Sequence, residues 1–453
     1  MSIATKQPKP LWFDHTRLLA LALPMILANI TTPLLGLVDT AVLGHMQIPA
    51  MLAGASIGAL ILTQIYWVCG FLRMSSTGLS AQAKGSEAPK VESAKVLWQT
   101  IAFSCILGLI ILLLQQPILH AGLALTQPND SVASYLNAYF STRVWGAPAA
   151  MLNLVLIGWL VGQQKTKQVM IIQIIGNLLN AGLDIAFVYG LGFSVAGVAL
   201  ASVIAEYSMM AMALYLALNQ VKGVHIARAW FNRAARRVLM KLNGDMLIRN
   251  LALQGCLAFL TIQGARYGET SAAVNAILMQ FFVLIALGLD GIAYGVEALI
   301  GEAKGAKDAD EIKRRTYQGL FWSSLFAIAY SVVFYAFGDG IIRLLTEHID
   351  IVDAALPYLP LMVLLPILAH WCFLFDGVFV GLTRASSMRN TMVISALGVY
   401  FPIWFFTQQA GNTSLWYALI AFLFARGITL GASFYRLAAN DTLCESNLRP
   451  NNK

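Results

Sequence analysis

Charged and strongly polar positions fall in clusters along this chain, and long stretches almost free of charge lie between them. From Leu18 to Leu43 the only ionisable residue is Asp39. Comparable runs, bounded by Gly, Pro, Asn and Lys/Arg clusters, predict helices over 16–43, 53–76, 95–116, 132–162, 168–189 and 195–219. A second set follows over 244–264, 271–300, 315–337, 352–381, 389–408 and 414–436. Each has about the 20 residues that carry a helix, at about 1.5 Å per residue, across a hydrocarbon core of about 30 Å. The pattern therefore describes an all-α polytopic membrane protein with twelve transmembrane helices. The first run is too long for a cleavable signal, and no A-x-A site follows it.

Composition agrees: of 453 residues, 58% are apolar and 11% charged, against roughly 25% charged in soluble domains. The net charge of +8 raises the question of nucleic acid, and the placement of the basic residues answers it. With both termini cytoplasmic, about 26 of the 30 Lys and Arg fall in cytoplasmic segments, including Lys222, Arg228, Arg233, Arg236, Arg237 and Lys241. The opposite loops keep Arg266 and Arg343, and only Arg143 and Arg426 read as intramembrane. This is the positive-inside bias of a helical membrane protein, so no nucleic-acid partner is expected. Cys69, Cys105, Cys256, Cys372 and Cys444 are scattered singly, which fits neither a disulfide framework nor a zinc site. They read as small buried hydrophobes.

The chain repeats itself. SAQAKG at 80–85 recurs as IGEAKG at 300–305, an offset of 220, and Gly158-Trp-Leu-Val-Gly162 matches Gly377-Val-Phe-Val-Gly381 at an offset of 219. Each repeat holds six spans, an even number, so the repeats are parallel and a substrate site is expected between them near the midplane. The expected units are an N-terminal lobe (1–219), a basic cytoplasmic linker (220–243), a C-terminal lobe (244–436) and a cytoplasmic tail (437–453), the lobes flanking a central cleft. The amphipathic stretches 80–94 and 302–314 read as connectors lying along the inner interface.

Such a carrier needs an energy source, and the sequence holds no G-x-x-x-x-G-K-[ST] phosphate loop. Any pumping is then driven by an ion gradient, which directs attention to intramembrane acids. A charge at the bilayer centre costs about 2.5–3.5 kcal/mol on insertion scales and commonly marks an ion path. Asp39 lies about 21 residues, roughly 32 Å, from the inner end of its helix. Snorkelling to the outer interface or pairing with a base would be structural explanations, and the helix dipole opposes the first. Asp184, in NLLNAGLDIAFVYG (177–190), sits at a similar depth in the fifth span, with Asn180 one turn earlier on the same face. Two carboxylates and an amide at one depth can share a proton or hold Na+ with oxygen ligands. The corresponding positions of the second half fall near Phe259 and Ile403, both apolar, so the acid pair belongs to the first half alone.

Other polar residues have two readings each. Arg143 and Glu206 match in depth and are expected to face the lobe interior as an ion pair; Arg426 similarly can meet Asp290 or Asp376. Tyr139, Asn153, Gln173 and Asn177 are cleft candidates, as are Gln254, Gln263, Asn275, Gln280, Tyr294 and Tyr400 in the second half. Each is equally a candidate for an ordinary helix–helix hydrogen bond. The sixteen methionines offer adaptable surface, or simply fill space. Gly54-Ala-Ser-Ile-Gly58 fits a nucleophile elbow on paper, but such an elbow needs a strand–turn–helix setting. Inside an apolar helix it reads as small-residue packing. With no H-E-x-x-H and six dispersed histidines, no enzyme, cofactor or certain metal site is indicated.

ALPMILANITTPLLGLVDTAVLGH, FLRMSSTGLSAQAKG and GNLLNAGLDIAFVYGLGFSVAGVALASVIAEY together resemble the DinF-type branch of multidrug and toxic compound extrusion (MATE) transporters. The resemblance covers essentially the whole chain. It implies two six-helix lobes and secondary active antiport, with cationic or amphipathic compounds leaving as H+ or Na+ enters. It implies that Asp39 titrates, that Asn180 and Asp184 share its network, that Ser202 supplies a hydroxyl there, and that the first helix bends at Pro24. Asp376 resembles the tenth-span aspartate of NorM-type relatives. Their seventh-span glutamate is missing from 246–265, so a second ion site does not carry over.

The resulting expectation is a multidrug efflux antiporter of the bacterial inner membrane, coupled to H+ in preference to Na+ and monomeric. Its partners would be small amphipathic cations and membrane lipids. The alternatives are a flippase for lipid-linked saccharides, which should line its cleft with several basic residues, and a non-transporting scaffold or receptor. The topology is testable directly. Cysteines introduced at Lys222 or Lys241 should react with an impermeant maleimide only in inside-out vesicles, and reaction in intact cells would reverse the assignment.

Overall fold

The computed structural model describes residues 11–44 and 48–445; side chains at 11–14, 32, 34–37, 39 and 40 lie outside that description. Every regular element among the described residues is helical. The first span is Leu11–Gly44. The next five are Pro49–Gly85, Pro89–Leu113, Asp130–Gly162, Thr166–Gly190 and Val195–Gln220. The second set is Arg233–Arg266, Glu269–Gly305, Ala309–Leu345, Ile349–Gly381, Ala385–Ala410 and Thr413–Ala439. All but the first contain a described stretch long and apolar enough to cross a membrane, and the 34-residue first helix makes twelve.

Local chemistry explains where these helices begin. Asn129 caps the fourth span by accepting from Val132 N at 2.9 Å, and Asp308 caps the ninth by accepting from Glu311 N at 2.9 Å. Pro49 and Pro89 occupy first-turn positions, where no N–H is missed. Pro24 and Pro33 lie inside the first helix, which continues through both. Apolar side chains cover the outside of the bundle: on the ninth span Phe321, Ile328, Val332 and Tyr335 share one helical face and are exposed, Tyr335 by 82%. A soluble monomer does not leave such a stripe open, and hydrocarbon is the solvent that suits it.

The repeat is visible in the packing. On the fourth span Gly158 and Gly162 lie directly against the backbone of the second, at Arg73 and at Thr77 and Ala81. On the tenth span Gly377 and Gly381 lie against the eighth, at Ala293 and at Glu297 and Gly301. Both pairs of partners differ by the repeat offset. The lysines of the two AKG motifs also match. Lys84 Nζ donates to Gln163 O at 3.4 Å and Lys304 Nζ to Leu382 O at 2.5 Å, each satisfying a carbonyl at the end of its lobe's Gly-x3-Gly helix.

Two expectations are corrected by this geometry. The stretches 80–94 and 302–314 are not interfacial connectors: the second and eighth spans run on to Gly85 and Gly305, and only 86–88 and 306–308 turn. They stay helical because Gly85 and Gly305 pack against each other's helix, at Glu302 and Gln82, burying these ends in protein. Within the basic stretch 220–243 the helix of the seventh span begins at Arg233. Of the cysteines, Cys69, Cys256 and Cys372 are buried, but Cys105 is exposed on the third span.

The two lobes meet along one end. Gly291 and Gly295 of the eighth span receive the first helix at Ile26 and at Leu18 and Ala22. The half of the second span from Phe71 to Gly85 packs on the seventh, eighth and tenth, whereas Pro49–Val68 touches the other lobe only lightly, at the seventh. The cleft between the lobes is thus shut at the end bearing the AKG turns. A Gly377→Val substitution would bring its Cβ to 2.8 Å from the Ala293 carbonyl. It should destabilise the purified protein by about 1–3 kcal/mol, read as a lowered Tm in detergent, whereas Gly398→Val, with open space around it, should leave Tm nearly unchanged.

Candidate functional site

A cavity of about 360 Å³ opens inside the first lobe, walled by the second, fourth, fifth and sixth spans. The fifth span turns Gln173, Asn177 and Asn180 toward it, the fourth contributes Tyr139 and Arg143, and the sixth Ser202 and Glu206. Spacings of three and four residues put 173, 177 and 180 on one helix face. Gly176 on the same face keeps the wall thin, because the sixth span's Met209 fills the space a side chain would need.

Asp184 is completely buried one turn beyond Asn180, whose Nδ2 donates to Asp184 Oδ2 at 3.0 Å. Asn177 reaches from the fifth span to the first, its Nδ2 donating to Thr31 Oγ1 at 2.9 Å. About two turns beyond Thr31 comes Asp39, whose side chain lies outside the described residues. Gln173 holds its Oε1 buried with no partner among the described residues. Asn153 does not serve the cavity directly: its Nδ2 donates to the Glu206 backbone carbonyl at 2.9 Å, tying the fourth span to the sixth.

Arg143 and Glu206 form a bidentate ion pair at 2.5 and 2.8 Å, with only 14% of each side chain exposed. Two parallel N–H···O bonds are the strongest form such a pair takes. It sits where the fourth span is interrupted by the tight turn Val144–Gly146, and Gly146 leaves room for both side chains.

The second lobe holds a different kind of polar centre. Asp376 Oδ2 accepts from Arg249 and, at 2.5 Å, from Arg426. Arg73 crosses from the first lobe to Glu297 at 3.3 Å and lies 4.2 Å above the Tyr294 ring. Asp290 is within electrostatic reach of Arg73, Arg249 and Arg426. Three arginines thus face three acids. Arg73 and Arg249, which the sequence reading did not count with Arg143 and Arg426, are enclosed in the bundle as well. Both were placed near the inner edge by spans taken too short. The second span runs twelve residues past Arg73 and the seventh starts sixteen before Arg249. All four arginines are committed to carboxylates, so none is left over for a pyrophosphate. The second-half amides and phenols mostly serve packing. Asn275 exchanges hydrogen bonds with Asn412 at 2.8 Å and accepts from Trp416, and Tyr400 donates to Cys256 O. Gln254 and Gln263 are half-buried and Gln280 is exposed.

The MatE family model matches residues 24–186 and 246–406, one stretch in each lobe. The chain belongs to the MATE transporter family. It is 40% identical to DNA damage-inducible protein F of Escherichia coli (strain K12), over 98% of this chain and 95% of that protein. It is 23% identical to the probable multidrug resistance protein NorM of Pseudomonas putida, over 92% and 93% of the two chains. The solved structure of a multidrug resistance MATE family transporter in an outward-facing conformation superposes with a TM-score of 0.83 at 18% identity, covering 96% of this chain and 97% of that one. A transporter of the MOP superfamily from Pyrococcus furiosus gives the same score at 17% identity, over 96% and 97%. These two structures share the fold. As a MATE transporter the chain is a multi-pass membrane protein that moves small molecules, and efflux is the family's activity.

The Arg143–Glu206 pair makes its own prediction. Arg143→Met or Glu206→Leu alone strands a buried charge and should cost about 3–5 kcal/mol, whereas the double substitution should cost far less than the sum. A double-mutant cycle on Tm measures the coupling.

Proposed function

We propose that this MATE transporter is a proton-coupled antiporter that exports cationic or amphipathic compounds by alternating access. The observation that carries the reading is Asp184: a completely buried acid that borders, through Asn180, a largely apolar cavity with several polar side chains in its wall, large enough for a small molecule. Asn180 turns its NH₂ toward the carboxylate, which suits a titrating acid better than a cage of oxygens around Na+. The cavity walls favour cationic cargo. The buried Gln173 Oε1 can accept from an ammonium or amine N–H, and Tyr139 offers a ring face. Names among the relatives point the same way, multidrug resistance protein NorM among them.

In this reading the cleft of the present conformation faces outward, because the closed end carries the basic residues that mark the cytoplasm. A proton arriving from outside neutralises the network of Asp39, Asn180 and Asp184, with Ser202 on its edge, and cargo leaves. The first helix, hinged at Pro24, and the lobes then rearrange, the cleft opens inward, the proton is released and new cargo binds. Obligatory exchange requires only that proton and cargo favour different conformations, since a ligand shifts an equilibrium through differential affinity. The protein would sit in the inner membrane with both termini cytoplasmic.

Efflux of a fluorescent organic cation from proteoliposomes tests this. A pH gradient alone should drive it and a sodium gradient alone should not. Asp39→Asn and Asp184→Asn should each cut the pH-driven rate by about tenfold or more, the scale of a coupling free energy of about 1–3 kcal/mol. Sodium-driven efflux at neutral pH difference would replace the proton with Na+, and full activity after both substitutions would remove the coupling site.

A further inference from the structure

The two AKG motifs each follow a polar residue, Gln82 in the first half and Glu302 in the second, again 220 apart. Both reach across the boundary between the lobes. Gln82 Nε2 donates to Gly381 O at 2.8 Å and to Thr383 Oγ1 at 3.0 Å, at the turn after the tenth span. Glu302 Oε2 accepts from Gln164 Nε2 at 2.7 Å, at the turn after the fourth, and from Arg17 Nη2 at 2.5 Å. The receiving residues, Gln164 and Thr383, are themselves repeat partners, and both sit in the left-handed region, at φ 62° and 48°. The rest of the motif supports the same contact. Lys84 and Lys304 bind the carbonyls of Gln163 and Leu382, pinning each receiving turn to its own lobe. Gly85 and Gly305 let the two helices touch, and a Cβ on Gly305 would lie 3.0 Å from Gly85 Cα.

We propose that the tetrapeptide Gln/Glu-Ala-Lys-Gly is the inner gate of the transporter, a pair of pseudo-symmetric latches. Its first residue grips the opposite lobe, its lysine anchors the turn gripped in return, and its glycine permits the approach. The latches hold the closed end shut and must break for the cleft to open there. They are suited to it. Glu302 and Arg17 keep 27% and 43% of their side chains exposed, so water can take over their bonds as the lobes part. The buried Arg249–Asp376–Arg426 group, in contrast, belongs wholly to the second lobe and travels with it.

The gate rests on alternating access but not on the identity of ion or cargo, so it can be tested with neither present. Nitroxide labels at Lys90 and Asp310, one on each lobe beside the closed end, report its width in nanodiscs by pulsed dipolar spectroscopy, with the five native cysteines replaced. The parent should give one short distance. Q82A/E302A should add a longer one, its population raised about tenfold per latch lost, the equilibrium worth of one net hydrogen bond. E302Q should open less than E302A, because its amide oxygen can still accept from Gln164 and Arg17 although the charge facing Arg17 is lost. G85A, which keeps every polar group but wedges the helices apart, should also add the longer distance. If Q82A/E302A does not fold, Q82A and G85A decide the matter. An unchanged distance in Q82A/E302A or in that fallback pair, or an E302Q as open as E302A, overturns the assignment.

Discussion

A charge in hydrocarbon must find its opposite, and that requirement organises this protein. Four arginines enclosed within the spans sit on carboxylates: Arg143 on Glu206, Arg73 on Glu297, Arg249 and Arg426 on Asp376. Each pairing fixes a neighbour relation between spans. Arg143–Glu206 joins the fourth to the sixth, and the Asp376 group joins the seventh, tenth and twelfth. These bonds add little net stability beyond what apolar residues of the same shape would give. What they exclude is any arrangement that separates the partners.

Backbone contact is the second organising feature, and it follows from the same solvent. Without a hydrophobic effect between helices, lipid-embedded spans associate through close packing and small residues. Here that packing is written twice, in the Gly-x3-Gly segments at 158–162 and 377–381 and in the AKG glycines. The first use builds each lobe; the second brings the lobes together.

Much of this was legible in the sequence, for reasons that can be named. Hydrocarbon demands long apolar helices, so the twelve runs and their class stood out. The repeat showed because glycine contacts tolerate few replacements. Arg143 and Glu206 stood out because each is a lone charge well inside its span. Arg73 and Arg249 were missed because polar residues on a helix buried in protein look like the end of a span. Ser75, Ser76, Thr77, Ser80 and Lys84 broke the hydropathy of the second helix, yet all but Lys84 are buried against neighbouring spans. The AKG stretches were misjudged for the same reason: their polar residues have protein partners, which no single-chain periodicity reports. Asn275 and Tyr400 looked like cleft residues because a polar side chain reads the same whether a cargo or a neighbouring helix satisfies it.

Arg73 carries a consequence for the work of changing shape. Of the three arginines balancing Asp290, Glu297 and Asp376, two come from the second lobe and only this one is borrowed from the first. Parting the lobes at that level withdraws the loan, and the second lobe is left one unit of positive charge short. Opening at that level therefore breaks an ion pair held inside the protein, and closing restores it.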